Sequence, residues 1–280
     1  IAASDHSCGL RSDGTVVTAG CSGEHAREAA GWTDITAIAA GSGFTAGLRA
    51  DGTVLVAGQD ALLGDVTHWR DICSISAAQD HLVGLRADGT AVAAGSNAAG
   101  QCEISDFTGI RSISAGNVHT AVLLHDGTVR CVGQNYHHQC DTQDWTDVIC
   151  VVACGVNTLG LRADGTVVAV GNNFKGKSMV HTLSGIRAIS ASNSGHTLFL
   201  REDGTVASLG DNDDDLRNLD DWRSIIAVSA GSGFSLGLKR NGTVLAVGRN
   251  DDGRCDTQSW QKQFTAVSAG NWHALALTRR

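Results

Sequence analysis

Five histidines, His6, His81, His119, His196 and His273, fall at the same place in an internal repeat. A neutral imidazole could ligate a metal or act as a general base. The same place in the other copies holds Phe44, Asn157 and Phe234. A metal ligand does not exchange with phenylalanine, so the column is expected to be packed or hydrogen-bonded structure. His137 and His138 lie outside it in a loop, with no Cys or carboxylate at ligand spacing, and are expected to be solvated. The run Asp211 to Asp215 alternates carboxylates like the start of a calcium loop. Leu216 and Trp222, however, stand where that loop needs Gly and a bidentate Glu, so an acidic surface loop is expected. No nucleophile elbow, phosphate loop or His-Glu-x-x-His occurs, and no catalytic, metal or cofactor site is assigned.

The 9 cysteines show neither zinc nor thioredoxin spacing. Cys102, Cys140 and Cys255 form a repeat column, each 14 residues after a conserved turn. An odd count without a framework predicts reduced thiols and favours the cytoplasm. The sequence starts at Ile1 with neither Met nor a signal-like segment, so processing or excision is expected. Asn241-Gly-Thr243 satisfies a glycosylation sequon but is itself a hairpin turn.

These residues are positioned by a repeat that covers the chain. Asp-Gly-Thr turns begin at Asp13, Asp51, Asp88, Asp126, Asp164 and Asp203, with Asn241 as a seventh copy, at spacings of 38, 37, 38, 38, 39 and 38 residues. A leucine stands three residues before each turn and a glycine seven after it. An aromatic anchor precedes most copies, at Trp32, Trp69, Phe107, Trp145 and Trp222, with Leu183 replacing it once. Asp-Gly between β-rich runs marks a hairpin, and the runs are continuously apolar, as in strands covered on both faces. About 38 residues supply some four short strands, and stacking such sheets radially covers both faces. The expectation is a single all-β domain over residues 1–280: a seven-bladed β-propeller of four-stranded antiparallel blades, with a C-terminal half repeat whose closure is open. An open β-solenoid is the structural alternative.

The clearest copy, Ser114-Ala-Gly-Asn-Val-His119-Thr, Leu123, Asp126-Gly-Thr-Val129 and Gly133-Gln-Asn135, resembles the repeat of the regulator of chromosome condensation family. The even repeats are similar to those of its bacterial members, and the resemblance implies a seven-bladed propeller. The Trp-Gly pair common in the family's third strand is replaced by pairs such as Val132-Gly133, and no basic tail or long inserted hairpin is present. Family members that bind chromatin or promote nucleotide exchange on a small GTPase lean on such additions, so that activity is not carried over to any residue. A bacterial β-lactamase inhibitor of this type implies that the scaffold can act by binding alone.

With 42% hydrophobic and 18% charged residues the chain can bury a core, and no apolar run approaches the roughly 18 residues of a membrane-spanning helix. A net charge of -8 disfavours nucleic acid. In an antiparallel blade with strands A to D, the A–B and C–D loops leave one end and the Asp-Gly turns the other. The turn end is monotonous and the loop end varied. Exposed loop aromatics are rich in contact energy, so the candidate binding residues are Tyr136, Phe174 and Trp272, with His137, Lys175, Asn117 and Asp80 in support. The expectation is a non-enzymatic, monomeric binding module or scaffold for a protein partner. The alternatives are carbohydrate or small-ligand binding at the central funnel and, less favoured, nucleotide exchange.

Overall fold

A computed structural model of the chain describes residues 2–20, 23–58, 63–176, 178–193, 195–211, 216 and 218–278, the side chains of 2, 3, 23, 24 and 26 excepted. The acidic run from 212 to 215 lies outside the described residues.

The strands form eight antiparallel sheets in chain order. Sheet 1 holds Ala2–Ala3, Ser7–Leu10 and Val16–Ala19; sheet 2, Ile35–Ala40, Phe44–Arg49 and Val54–Gly58; sheet 3, Ile72–Ala77, His81–Arg86 and Ala91–Gly95. Sheet 4 holds Ile110–Ala115, His119–Leu124 and Val129–Gly133; sheet 5, Val148–Cys154, Asn157–Arg162 and Val167–Gly171. Sheet 6 holds Ile186–Ala191, His196–Arg201 and Val206–Gly210; sheet 7, Ile225–Ala230, Phe234–Lys239 and Val244–Gly248; sheet 8, Phe264–Ala269 and Ala274–Thr278. We call the strands of each sheet A, B and C.

Every A strand lies beside the A strand of the next sheet, and that of sheet 8 lies beside that of sheet 1. The A strands therefore surround an axis and the ring is closed. The same kind of hydrogen bond makes the last junction as makes the inner ones: Ser42 N donates to Gln79 O, Ser232 N to Gly270 O, and Asn271 N to Ser4 O.

The expectation of seven four-stranded blades is corrected on both counts. The seven turns number only the B–C hairpins, whereas the half repeat at 264–278 forms a sheet of its own between sheets 7 and 1. Among the described residues no fourth strand forms, because the chain reverses at the glycine ending strand C. Gly133, at φ 110, takes a conformation barred to other residues, and Gln134 N then donates to Val118 O in the A–B loop of the same sheet. The residues beyond Gln134 fold as turns. The segment after sheet 1 instead contains a helix, α1 (Gly23–Ala30), which the repeat pattern did not announce.

The conserved turn is self-supporting. Asp51 Oδ1 accepts the Thr53 backbone N–H and hydroxyl at 2.9 and 2.6 Å, and Asp13, Asp88, Asp126, Asp164 and Asp203 repeat the pattern. These bonds hold the carboxyls of Asp51, Asp88, Asp126, Asp164 and Asp203 below their ordinary pKa. The turn also joins sheets: Gly52 O accepts Ile72 N at 3.0 Å, and all seven turns make the equivalent bond to the next sheet.

Anchors fill the spaces between sheets. Trp32, Trp69, Trp145 and Trp222 are buried over Gly47, Gly84, Gly160 and Gly237 of their own B strands. Where the anchor shrinks to Phe107 or Leu183, the glycine becomes Val122 or Phe199. The two columns trade volume, which keeps each space filled.

Cys73, Cys102, Cys131, Cys140, Cys150 and Cys255 are free thiols, and burial raises the pKa of Cys102 and Cys255 to about 11. Alkylation of the unfolded, unreduced protein is expected to label all nine; label that appears only after reduction would reveal a disulfide.

Candidate functional site

Four histidines of the column fasten sheets, whereas His273 Nε2 is buried without a hydrogen-bond partner. His6 Nε2 lies 2.7 Å from Thr45 Oγ1, His81 Nε2 3.0 Å from Thr120 Oγ1, His119 Nε2 2.9 Å from Thr158 Oγ1, and His196 Nε2 3.0 Å from Ser235 Oγ. Each bond crosses to the following sheet. Burial pushes the pKa of His6, His81 and His119 down to about 4, so these rings are neutral at pH 7. Among the described residues no group of three His, Cys, Asp or Glu is placed to hold a metal.

The loop after strand C is shaped by its asparagine. Asn97, Asn135, Asn173 and Asn250 each accept a backbone N–H five residues on, at 2.8–3.0 Å. The residue after the asparagine is carried at the tip, and there stand Tyr136 and Phe174, on neighbouring sheets 4 and 5. They are 85% and 67% exposed, against the 1% of the anchor Trp69, so neither folds into the core. His137 is exposed beside Tyr136, and its backbone N–H donates to Gln139 Oε1. Lys175 follows Phe174, with its ammonium 5.7 Å from that ring's centre and paired with Asp211 at 2.7 Å.

Asn117 and Asp80 sit in the A–B loops of sheets 4 and 3, and each has a buried Oδ1 without a hydrogen-bond partner. Asp80 Oδ1 is 4.0 Å from His81 Nδ1. Trp272 is 56% exposed in the A–B loop of sheet 8. The seven candidates therefore share one end of the ring; those on sheets 3, 4 and 5 form one neighbourhood, and Trp272 stands apart from it.

Met179 and Arg254 at the loop end escaped the sequence reading, and the backbone role of His138 was not read from it. Met179, 51% exposed, lies in the Phe174 loop and adds a polarisable contact. Arg254 is buried between Phe234 and Trp272, its guanidinium 5.7 and 5.1 Å from their ring centres, and donates to Ser232 O and Asn271 O. The exchange of Gln101 and Gln139 for Arg254 in that column was its signal. His138, at φ 64, occupies a left-handed position that is Gly100, Gly176 and Gly253 in the other loops, and its Nδ1 is 2.8 Å from Asp141 Oδ2.

On the axis the A–B loops enclose a mouth of about 450 Å³ to which all eight sheets contribute. Its wall is alanine and its rim polar: Asp5, Ser42, Gln79, Asn117, Asn193, Ser232 and Asn271. Hydrogen bonds from Asn271 and Ser42 hold the Asp5 carboxyl below its usual pKa.

Residues 110–139 and 225–254, which run from strand A into the loop after strand C, match the model of the Regulator of chromosome condensation (RCC1) repeat. No curated protein matches the sequence. Among solved structures the chain is similar to Prp20p from Saccharomyces cerevisiae, at 16% identity and a TM-score of 0.68 over 88% of this chain and 83% of that one. It is similar to human WBSCR16 at 18% identity and 0.66, over 88% and 87%. A third likeness is to the CRINKLY WD40 ectodomain of the Arabidopsis thaliana receptor kinase ACR4, at 18% and 0.64, over 86% and 90%. At such identities the likeness speaks for the fold. Antiparallel sheets set radially about an axis make this a β-propeller. Two of its units, in sheets 4 and 7, match the regulator of chromosome condensation repeat.

Proposed function

We propose that this protein is a non-enzymatic recognition module that binds a protein partner through its loop end, centred on Tyr136 and Phe174. The observation that carries the reading is the 85% and 67% exposure of two aromatic rings on adjacent loops fixed by asparagine hydrogen bonds. A rigid frame that holds apolar rings in water suits contact with another surface, because the ordering cost is already met before binding. Trp272, His137, Lys175, Asn117 and Asp80 support the surface. Prp20p, similar in fold, has been described with binding to Gsp1p and histones, which makes protein recognition a property this scaffold can carry. No residue here is assigned to nucleotide exchange or to catalysis.

Affinity capture of partners with native protein and with Tyr136→Ala and Phe174→Ala tests the reading. Each substitution is expected to weaken capture by about 2 kcal/mol, roughly thirtyfold, while the thermal midpoint moves little. Arg49→Ala and Arg162→Ala at the turn end should leave capture unchanged. Loss of capture in the turn-end variants alone would place recognition at the other end.

A further inference from the structure

The turn of sheet 7 departs from the other six in the charge it carries. Asn241 stands where they hold Asp13, Asp51, Asp88, Asp126, Asp164 and Asp203. It still supports the turn, since its Oδ1 accepts the Thr243 N–H at 3.1 Å, but its amide then presents N–H donors where each aspartate presents a carboxylate oxygen. Two further replacements fall beside it. Arg240, whose backbone N–H donates to Ser224 O at 2.9 Å, stands where sheets 2, 3 and 5 carry Ala50, Ala87 and Ala163, and these donate in the same way to Asp34, Asp71 and Asp147. Ser224, at φ 57, thus takes the place of those aspartates, which lie at φ 57–59. That left-handed backbone suits Asp or Asn better than Ser, so the fold does not account for the missing carboxylate.

With Arg223 and Lys239 these residues line a groove of about 410 Å³ at the turn end of sheet 7, and among the described residues its wall holds three cations and no carboxylate. The same five positions hold two carboxylates and one guanidinium in sheets 2 and 5, and two of each in sheet 3. Arg223 also attracts the Asp203 carboxylate on the turn of sheet 6, so the excess of positive charge rests on Lys239 and Arg240. On the other side Gly242 packs against Gln263, whereas Gly52 and Gly127 pack against Asp71 and Asp147. Every side chain of the wall can donate a hydrogen bond: two guanidiniums, an ammonium, a hydroxyl and an amide. Such a wall suits an occupant made of acceptors. Guanidinium forks match phosphate oxygens in pairs, and a dianion gains more from clustered cations than a carboxylate does. A nucleic-acid strand needs a basic path, but sheet 6 returns to Asp203 at the neighbouring turn. We propose that this groove binds a phosphate monoester, free or carried on a partner's side chain. It lies at the opposite end of the ring from Tyr136 and Phe174 and does not rest on their role.

The probes are a blocked glycine peptide with a central phosphoserine, the same peptide with serine, glycerol 3-phosphate, acetate, and a short oligothymidylate without a terminal phosphate. Each is titrated into isotope-labelled protein with amide shifts as the readout. The phosphoserine peptide and glycerol 3-phosphate are expected to shift Ser224, Arg240, Asn241 and Gly242 with a dissociation constant of about 1 mM at low salt, weakening as salt is added. Binding of either supports the site, and the tighter of the two names the source; the serine peptide and acetate should leave these residues unmoved. Arg240→Ala combined with Asn241→Asp restores the residue types of sheets 2, 3 and 5. It should weaken phosphate binding at least about tenfold while the thermal midpoint holds, and Arg162→Ala, which removes a cation from the turn of sheet 5, should leave binding unchanged. Five outcomes overturn the proposal: neither monoester shifts these residues; acetate binds as tightly; the double variant binds as the native protein does; Arg162→Ala weakens binding equally, as a diffuse field would; or the oligothymidylate binds here more tightly than both monoesters. Tyr136→Ala and Phe174→Ala should retain phosphate binding, so failure of the groove and failure of the aromatic surface are read separately.

Discussion

Lowering the pH from 7 to 5 is expected to remove about 2 kcal/mol of stability for each of His6, His81 and His119. Their folded pKa values of about 4 lie below the roughly 6.5 of an unfolded histidine, so folding selects the neutral ring. The contribution is complete above pH about 6.5, falls as pH drops through the window down to about 4, and is lost below it. Burial is the main cause in each case; Asp80 beside His81 and Asp5 near His6 oppose it, while His25 and His273 add to it at His6. Three such losses approach the whole stability of an ordinary domain, about 5–15 kcal/mol. Urea midpoints at pH 7.5, 6 and 5 measure the effect. His119→Asn, the residue type sheet 5 already carries, should lower stability at pH 7.5 and flatten the pH dependence. A midpoint that does not change between pH 7.5 and 5 would show that these rings are not buried as neutral species. The turn carboxylates, with lowered pKa values, contribute above the ordinary carboxylate range and titrate below this window.

Trp69→Ala is expected to cost about 3–5 kcal/mol, since the ring is 1% exposed and fills the space between sheets. A Cβ at Gly84 would lie 2.8 Å from Trp69 Cζ3, so Gly84→Ala overpacks the same space at a cost of about 1–3 kcal/mol. With the indole absent that methyl has room. The double variant should therefore be less destabilised than the sum of the two by about 0.5–3 kcal/mol in denaturation measurements. Strict additivity would mean that the backbone, rather than the indole, demands glycine here.

The hairpins were legible because their signals are local: Asp-Gly-Thr fixes a turn by bonds within three residues, and the glycine ending strand C marks its own backbone conformation. The structural role of the histidines could also be read, because exchange with Phe44 and Phe234 excludes a ligand. The exposure of Tyr136 and Phe174 was expected from their place in the varied loops at one end of the sheets. What failed was global or irregular. The turn column counts hairpins, so it missed sheet 8, whose strands lack the turn. The fourth strand was supplied by analogy with a blade, although the residues after Gly133 are those of a turn. The trade of Trp69 and Gly84 for Leu183 and Phe199 was written in the columns, and comparing paired positions across repeats would have found it. The groove at Asn241 was visible only as one departure in the turn column, because its charge depends on Ser224 and Arg240, which stand in other columns.

All the fastenings described between sheets run in one sense around the ring, from a histidine, a turn carbonyl or a loop amide to the next sheet. Such a head-to-tail contact is heterologous, and heterologous contacts form a closed ring or an endless screw according to the rotation between neighbours alone. No single repeat specifies how many copies complete the circle. The number is an angle summed over the whole chain, and the growing row of sheets learns that it is full only when Asn271 meets the carbonyl of Ser4.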